Sequence, residues 1–344
     1  MTGLSKIIHF GIVGAGVISA SHAKVISGNP HARLLAVCDV DREKAEKLAR
    51  AYGAAHIFTE LADMLALEQL DVVIICLPSG MHEAAAIAAA NAGKHILCEK
   101  PIDITLEKID RMLEAADKNN VKLGCVYQRR TMPEAIAARQ AIQEGKLGKM
   151  VLGDAYLKYY RSPEYYKSAG WRGTWEHDGG GALMNQGVHG IDLIQWMMGD
   201  IASVFAHSAA LVRDIEVEDT AVVAVKYKSG ALGVIQGATS VYPAQDTRFE
   251  LHGEKGTFIF GDNGIQLWKT ADDSVEIPGG SEAASPGADP RDISLEGHVV
   301  LIDDMIDAVL NDREPMINGA EARKAVAVII AIYESSRTGK EVFL

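Results

Sequence analysis

A glycine-rich turn between an apolar strand and a helix constrains the fold of this chain more than any other feature. The apolar run 7–10 leads into the turn 11–19, whose sequence is GIVGAGVIS. Gly14 permits a tight turn, and Gly16 lets the backbone come close to a pyrophosphate. Ser19 stands where a third glycine is usual, and its small side chain still lets helix and strand pack closely. The turn is typical of a Rossmann dinucleotide-binding unit.

The segments after the turn complete this pattern. Val17 and Ile18 begin a helix whose free N–H groups can bind phosphates. A second apolar strand over 32–39 ends in Asp39, about 20 residues after the last position of the turn. Asp39 can accept hydrogen bonds from an adenosine ribose, whereas the 2′-phosphate of NADP would bring negative charge against it. The sequence therefore predicts NAD as the preferred cofactor.

Two neighbouring residues leave alternatives open. Arg42 lies just beyond the strand, and its guanidinium can hold a phosphate or stack on adenine, so NADP stays possible. Asp39 and Asp41 can also both cap the helix predicted over 41–52. We assign the cap to Asp41 and the ribose contact to Asp39.

Lys100 lies in the run LCEKP over residues 97–101, at the carboxyl end of a predicted buried strand. Pro101 restricts Lys100 to an extended backbone. Open α/β sheets bind their ligands beyond the carboxyl ends of the strands. We expect Lys100 to meet the cofactor.

The first part of the chain alternates apolar strands with amphipathic helices, which predicts a doubly wound parallel sheet covered on both faces. We assign residues 1–127 to this Rossmann domain. After the segments above, its predicted elements are helix 41–52, strand 56–58, helix 60–67, strand 71–77, helix 81–92, strand 95–98, helix 106–119 and strand 122–127.

Residues 128–344 change in character and predict an α+β domain with a large, mostly antiparallel open sheet, whose last helix could pack back on the first domain. With few helices to cover that sheet, we expect a homodimer or homotetramer through it. The polar segment 278–290 is predicted to be a mobile surface loop. The predicted elements are helices 133–144, 182–198, 294–310 and 320–336, and strands 150–160, 203–212, 220–227, 231–240, 248–252 and 257–260.

The composition excludes several classes of protein. The chain has 344 residues and a formal net charge of −12, which argues against a general binder of nucleic acid or anionic membranes. No stretch approaches the length of a membrane span, and glycines within the apolar segment 7–20 distinguish it from a signal peptide.

The cysteines lack the paired spacing of zinc or redox sites and predict buried thiols in a reducing, cytoplasmic compartment, with no metal. They are Cys38, Cys76, Cys98 and Cys125.

A second polar constellation follows three consecutive glycines at residues 179–181. Asn185, His189 and Asp192 recur at helical spacing, which predicts an amide, an imidazole and a carboxylate on one face. The glycines would let backbone approach a ligand. The alternative is a polar helix face whose groups are satisfied by neighbouring loops.

These motifs together resemble the Gfo/Idh/MocA oxidoreductase family over nearly the whole chain. The resemblance implies a Rossmann domain, a C-terminal open-sheet domain, and NAD(P)-dependent oxidation or reduction of a sugar, inositol or related polyol. It rests on Gly14-Ala15-Gly16, Glu99-Lys100-Pro101, Trp171-Arg172, Gly179-Gly180-Gly181 with Asn185 and His189, and the segments 320–323 and 332–335.

The resemblance also implies roles for individual residues. It makes Lys100 and His189 the catalytic pair, which must then flank the same nicotinamide. Ordinary loop packing is the alternative for Trp171 and Arg172. The implied cofactor contacts are Leu77, His82, Glu99, Lys100, Gln128, Trp171 and Arg172, besides the residues of the turn and Arg42. The substrate candidates are Lys100, Arg161, Arg172, Asn185, His189, Asp192 and His298.

Asn185 departs from the family pattern, because many of its dehydrogenases carry aspartate there. An amide orients a hydroxyl or the histidine but takes no proton, so the base is His189 or Lys100. A histidine with an ordinary pKa near 6.5 can accept the proton while the lysine ammonium stabilises the alkoxide. Burial could instead make the lysine the base. Asparagine here is similar to members acting on nucleotide-linked amino-sugar acids or on glycosides.

Three functions remain open from the sequence. The first is an NAD-dependent dehydrogenase of a sugar, glycoside, nucleotide sugar or inositol. The second is an NADP-dependent reductase of a sugar ketone or aldehyde, which Arg42 permits. The third is a non-catalytic dinucleotide-binding regulator of the same family, against which the presence of Lys100 and His189 argues.

Overall fold

The computed structural model describes residues 6–271 and 295–344, so the predicted loop 278–290 lies outside the described residues. The chain divides into two compact units. The sequence placed the boundary after residue 127 and assigned everything beyond it to the second domain. In the structure the first unit also includes a later segment. The first unit comprises Met1–Gln128 and Pro290–Arg323, and the second comprises Arg129–Asp289 and Lys324–Leu344.

The helices and strands follow the predicted order closely. Among the described residues, no helix has both the length and the apolar character needed to cross a bilayer. The strands are β1 (Ile8–Val13), β2 (Ala32–Cys38), β3 (His56–Phe58), β4 (Val72–Ile75), β5 (His95–Cys98), β6 (Leu123–Cys125), β7 (Met150–Lys158), β8 (Ile201–Ala209), β9 (Thr220–Tyr227), β10 (Leu232–Ala238), β11 (Arg248–Gly253), β12 (Gly256–Gly261), β13 (Gly264–Thr270) and β14 (Val342–Phe343). The α-helices are α1 (Val17–Gly28), α2 (Arg42–Tyr52), α3 (Leu61–Leu65), α4 (His82–Asn91), α5 (Leu106–Lys118), α6 (Pro133–Gln143), α7 (Pro163–Lys167), α8 (Val188–Met198), α9 (Glu296–Leu310) and α10 (Gly319–Thr338).

The sheet of the first unit has the predicted doubly wound topology. Its strand order is β3-β2-β1-β4-β5-β6, and all neighbours are parallel. The chain reverses its winding direction between β1 and β4, and such a switch point opens a crevice at the carboxyl ends of the strands. β4 is buried along its whole length, as expected for a strand covered on both faces. The prediction of a Rossmann domain is confirmed.

α2 shows how local sequence sets the helices of this unit. The Asp41 side chain accepts hydrogen bonds from the first turn of α2, as predicted, and Gly53 ends the helix in the left-handed conformation. Ala45, Leu48 and Ala49 are buried at the spacing of one helical face. The exposed face carries the charged residues.

The second unit contains an eight-stranded sheet of order β13-β12-β11-β7-β10-β9-β8-β14. Most neighbours are antiparallel, as predicted, but β7 and β10 pair in parallel at its centre. In β9 buried and exposed residues alternate, so that one face of the sheet is covered and the other is open. The sequence did not predict α7, β13 or β14, which are a one-turn helix, an edge strand and a two-residue strand.

Candidate functional site

The glycine turn is fixed by close packing between the ends of two strands. Gly14 has a φ of 91°, and a Cβ atom there would lie 2.6 Å from the carbonyl oxygen of Cys76. The Gly14 N–H donates to the carbonyl of Cys38 at 2.8 Å. Only glycine combines this conformation with this contact.

The start of α1 presents an open cradle that fits a dinucleotide phosphate. A Cβ at Gly16 would meet nothing within 4 Å. α1 begins without a side-chain cap and without an acidic residue in its first turn. Its first N–H groups are therefore available to an anion. Val17 is 64% exposed at this end, where an apolar side chain can cover a nucleotide.

Asp39 braces the same turn. Its Oδ2 accepts the Ala15 N–H at 2.6 Å, and its Oδ1 accepts the Asp41 N–H at 2.8 Å. The carboxylate thus lies beside the cradle, where the ribose contact is predicted. Arg42 points along the exposed side of α2 and pairs with Glu46 at 3.0 Å.

The loop after β5 is held by a buried carboxylate. Glu99 Oε2 accepts the backbone N–H of Lys100 at 3.1 Å, and Glu99 Oε1 lies 2.7 Å from His22 Nε2 on α1. Both side chains are almost fully buried. The Glu99 carboxylate therefore connects the backbone at Lys100 with His22 on α1.

His298 completes a buried cluster in the first unit. Its ring meets the His22 ring edge-on, with centroids 5.2 Å apart, and it is 1% exposed. The ligand-type atoms of His22, Glu99 and His298 all lie within 4.8 Å of one another. Two ligands of a tetrahedral zinc ion lie about 3.3 Å apart, given bonds of about 2.0 to 2.1 Å. The 2.7 Å contact between His22 and Glu99 fits a shared proton better.

Burial alone would raise the pKa of the Glu99 carboxyl, but the hydrogen bond and charge of His22, with the charges of His298 and Lys100, hold that pKa below its ordinary value. The carboxylate form is thus the one that the cluster stabilises. His298 was predicted as a substrate candidate, and the structure places it in this electrostatic cluster.

Three further residues predicted to contact the cofactor lie in the first unit: Leu77, His82 and Gln128. His82 is buried at the start of α4, and its ring contacts the carbonyls of Leu77 and Pro101. Gln128 is half-buried at the start of a short 3-10 segment. Their contacts with a cofactor stay predictions.

In the second unit, two predicted arginines are joined by a polar network. Arg161 Nη2 donates to Gln186 Oε1 at 2.6 Å, and Gln186 Nε2 donates to the Tyr165 hydroxyl at 3.0 Å. Arg172 Nη1 donates to the same hydroxyl at 2.5 Å. The Arg172 guanidinium lies over the rings of Tyr165 and Trp171, 4.3 and 4.6 Å from their centroids. This network holds two cations beside aromatic faces.

Burial raises the pKa of the Tyr165 hydroxyl. That hydroxyl is therefore a neutral group at physiological pH, and it orders the two arginines without cancelling their charge. Neither Gln186 nor Tyr165 was among the predicted site residues. Gln186 adjoins Asn185 in the sequence, but nothing in the sequence indicated which residue it bonds.

The predicted helix 182–198 begins with a π-helical segment, Ala182–Gly187, in which the Gln186 N–H donates to the carbonyl of Gly181. Asn185 lies in this segment, and its amide donates to Asp178 Oδ1. His189 is half-buried in the first turn of α8. A π-helix has more residues per turn than an α-helix, so Asn185 does not keep the α-helical spacing on which the single polar face was predicted. Short π-helical segments are frequent at functional sites.

Asp192 has a different environment from Asn185. It is 2% exposed, and its two oxygens accept hydrogen bonds from Arg130 at 2.6 and 2.8 Å. This bidentate pair ties α8 to the segment before α6. A substrate contact for Asp192 stays a prediction.

The glycines before the π-helical segment approach protein groups closely. A Cβ at Gly180 would lie 2.0 Å from the Tyr333 hydroxyl, and one at Gly181 would lie 2.0 Å from the Glu218 carbonyl. The Glu218 carboxylate accepts N–H groups from Gly181 and Leu183. The glycine run thus has a packing requirement of its own, besides the ligand approach that was predicted.

The four cysteines are buried and unpaired in disulfides. Burial raises the pKa of Cys38 to about 11, and it raises the pKa values of Cys76 and Cys98 well above the ordinary range. A thiol needs its thiolate form to act as a nucleophile. These three thiols are therefore inert at neutral pH.

Two sequence models of one family match the chain. One is described as an oxidoreductase family with an NAD-binding Rossmann fold and matches residues 8–127, and the other is described as a GFO/IDH/MocA C-terminal domain and matches residues 135–259.

Curated and solved proteins agree with these matches. The inositol 2-dehydrogenase of Rhizobium meliloti is 32% identical over 72% of this chain and 74% of its own. The myo-inositol 2-dehydrogenase of Thermotoga maritima is 30% identical over 74% of this chain and 75% of its own. The WlbA dehydrogenase of Bordetella pertussis, solved in complex with NADH and UDP-GlcNAcA, is 36% identical over 98% of this chain and 99% of its own, with a TM-score of 0.88.

His22→Ala should lower the free energy of unfolding by about 3 to 5 kcal/mol at neutral pH, because it leaves Glu99 charged and buried without its partner. The folded pKa of Glu99 is depressed, so this stabilisation is present above the unfolded pKa and is lost as the pH falls through the folded value. The difference between wild type and variant should therefore shrink in acid. Denaturant unfolding at several pH values measures it, with His56→Ala, an exposed histidine on β3, as the control. A difference that does not change with pH would contradict the role given to Glu99.

Proposed function

Because this chain belongs to the Gfo/Idh/MocA family of NAD-binding oxidoreductases, we propose that it oxidises a secondary alcohol on the sugar of a nucleotide-linked amino-sugar acid. Its relatives act, by their names, on sugars, inositols and related CH–OH compounds. The narrower substrate class is our inference. It follows from charged groups in the second unit.

The arginine network of the second unit carries this inference. Within the described residues, the Nε atoms of Arg161 and Arg172 are buried and have no hydrogen-bond partner. A guanidinium whose N–H groups are not all used suits a carboxylate or a phosphate, which it can bind through two parallel hydrogen bonds. A neutral polyol gives such groups no charge to balance. The solved relative with UDP-GlcNAcA, whose ligand is an anionic nucleotide sugar, supports the same class.

The cofactor fits the first unit at the cradle formed by Gly14, Gly16 and the start of α1. When bound there, the nicotinamide supplies the hydride acceptor. We propose that Lys100 donates a hydrogen bond to the reacting oxygen, where negative charge grows toward the transition state. His189 is the proposed proton acceptor, with Lys100 as the alternative, and Asn185 orients the hydroxyl.

A second candidate is an inositol dehydrogenase. It is favoured by the two curated inositol dehydrogenases, which match about three quarters of the chain at 30% and 32% identity. Inositols carry neither a carboxylate nor a diphosphate, so this candidate leaves the arginine network unexplained. Activity with neutral and acidic substrates separates the two.

The first experiment compares UDP-GlcNAcA, UDP-GlcNAc and myo-inositol with NAD, following reduced nicotinamide. We expect kcat/KM to be highest for the acid, by about tenfold or more over its neutral analogue, since a hydrogen bond to a charged group contributes about 1.5 to 3 kcal/mol. Arg161→Gln should remove most of this preference. Arg33→Gln, at an exposed position near the start of β2, is the matched control. Equal rates with the acid and its neutral analogue would exclude the carboxylate assignment, and a preference for myo-inositol would select the second candidate.

Lys100→Met, assayed with the same substrates, distinguishes an enzyme from a non-catalytic dinucleotide-binding regulator. We expect it to abolish turnover with little change in NADH binding. A variant that turns over normally would remove the catalytic assignment.

We propose NAD rather than NADP as the cofactor, because the Asp39 carboxylate lies beside the cradle. Asp39→Asn removes the charge and keeps one oxygen that can accept the Ala15 N–H, while the Asp41 N–H loses its acceptor. The ratio of NADH to NADPH affinity should fall in this variant, as measured by titration of cofactor fluorescence. Asp41→Asn, which alters the cap of α2 and its ion pair with Lys44, should leave the ratio unchanged. If Asp39→Asn also left it unchanged, the ribose assignment would fail.

We infer that the open face of the second sheet is an interface between copies of this chain, as a homodimer or homotetramer. Val222 and Leu232 are 51% and 54% exposed on neighbouring strands of this face. Sedimentation velocity should show an oligomer that Val222→Asp disrupts and Val40→Asp, at an exposed site of the first unit, does not. A monomeric wild type would refute this inference.

The buried free thiols support a cytoplasmic location, which cell fractionation tests.

A further inference from the structure

His82 makes an unusual pair of contacts at the carboxyl end of the first sheet. Its Nδ1 lies 2.9 Å from the carbonyl oxygen of Pro101, and its Nε2 lies 2.9 Å from the carbonyl oxygen of Leu77. The ring is 1% exposed. Nδ1 also lies 3.3 Å from the carbonyl oxygen of Ile102, so carbonyls face both ring nitrogens.

A carbonyl oxygen only accepts hydrogen bonds, so each contact requires an N–H on the ring. A neutral imidazole carries one N–H and would set the lone pair of its other nitrogen against a carbonyl lone pair at hydrogen-bond distance. An imidazolium carries two N–H groups and satisfies both contacts. The geometry points to a doubly protonated ring.

The two carbonyls belong to loops that carry predicted cofactor contacts, Leu77 and Lys100. Leu77 follows β4, and Pro101 follows Lys100 after β5, and these strands are paired neighbours. The ring thus bridges the two loops beyond the carboxyl ends of their strands, where open sheets bind ligands. It fixes the distance between the β4 loop and the loop that carries Lys100.

Two charged residues, Asp103 and Lys108, contact the backbone on either side of His82. Asp103, fully buried in the loop after Pro101, accepts the N–H of Glu83, the residue after His82. Lys108 lies 3.6 Å from Asp103 and donates to the carbonyl of Gly80 at 2.6 Å. The start of α4 disfavours a cation, whereas the buried Asp103 carboxylate and the two carbonyls favour one.

The remaining charges near these loops are paired with one another. Glu83 pairs with Arg111 at 2.5 Å on the exposed side. Glu99 is 2.7 Å from His22 and also accepts the N–H of Lys100. Asp103 is the carboxylate that accepts a hydrogen bond from the backbone next to His82, and it also pairs with Lys108.

We propose that His82 is a positioning residue, an imidazolium that donates to the Leu77 and Pro101 carbonyls and so holds Lys100 in place. This role differs from the direct cofactor contact predicted for His82. The kinetic test of this proposal rests on the proposed function. The protonation state of His82 is a property of the protein alone and is tested without a substrate.

Neutron diffraction from deuterium-exchanged crystals of the wild-type protein tests the protonation state directly. We expect deuterium on both Nδ1 and Nε2 of His82 at neutral pH. Deuterium on one nitrogen alone would overturn the proposal. This measurement needs neither a substrate nor a variant, so it decides the question even if the proposed substrate class is wrong.

His82→Gln tests the positioning role, because an amide can donate to only one of the two carbonyls at this spacing. We expect kcat to fall by up to about 100-fold, the cost of a displacement near 1 Å at a catalytic group, while KM and the NADH dissociation constant change much less. His95→Gln is the matched control, since the His95 ring accepts one N–H, from Lys122, at the opposite end of the same sheet. It should leave kcat unchanged.

A wild-type kcat in His82→Gln would overturn the positioning role, as would an equal loss in His95→Gln. If His82→Gln does not fold, His82→Asn provides the same single donor in a smaller side chain. In either variant, a loss confined to NADH binding would indicate a direct cofactor contact and would also overturn the proposal.

Discussion

The contact between Gly14 and the carbonyl of Cys76 is the constraint on which the first unit depends. A side chain at Gly14 would overlap that carbonyl, so the backbone of the turn can close onto the end of β4 only because the residue is glycine. The same closure sets the direction in which α1 leaves the sheet. It also puts the Ala15 N–H within reach of Asp39. The cradle for a dinucleotide is therefore a consequence of backbone packing at one residue.

Buried charge organises the rest of the molecule through pairs that are distant in the sequence. Glu99 and His22 join β5 to α1, and Asp192 and Arg130 join α8 to the segment before α6. A buried carboxylate without such a partner would be costly, so each pair fixes the two elements that contribute to it. The loop that carries Lys100 is held at two points, because Glu99 accepts the Lys100 N–H and His82 contacts the carbonyl of Pro101.

The second unit uses neutral hydrogen-bonding groups to hold positive charge. Tyr165 and Gln186 connect Arg161 to Arg172, and the aromatic rings lie against the guanidinium faces. Neither residue brings a negative charge, so the arginines stay available to an anionic ligand. This arrangement is the physical basis for proposing an acidic sugar substrate.

The sequence by itself determined the Rossmann domain, because the strand and helix periodicities, the turn glycines and the cap at Asp41 are local signals that act within one or two elements. It also indicated a mostly antiparallel second sheet. Tertiary structure alone decided the parallel pairing of β7 with β10, the π-helical winding around Asn185, and the partners of Glu99, Asp192 and His82. Each of these depends on groups brought together from distant segments, and no local pattern specifies which buried donor will meet which buried acceptor.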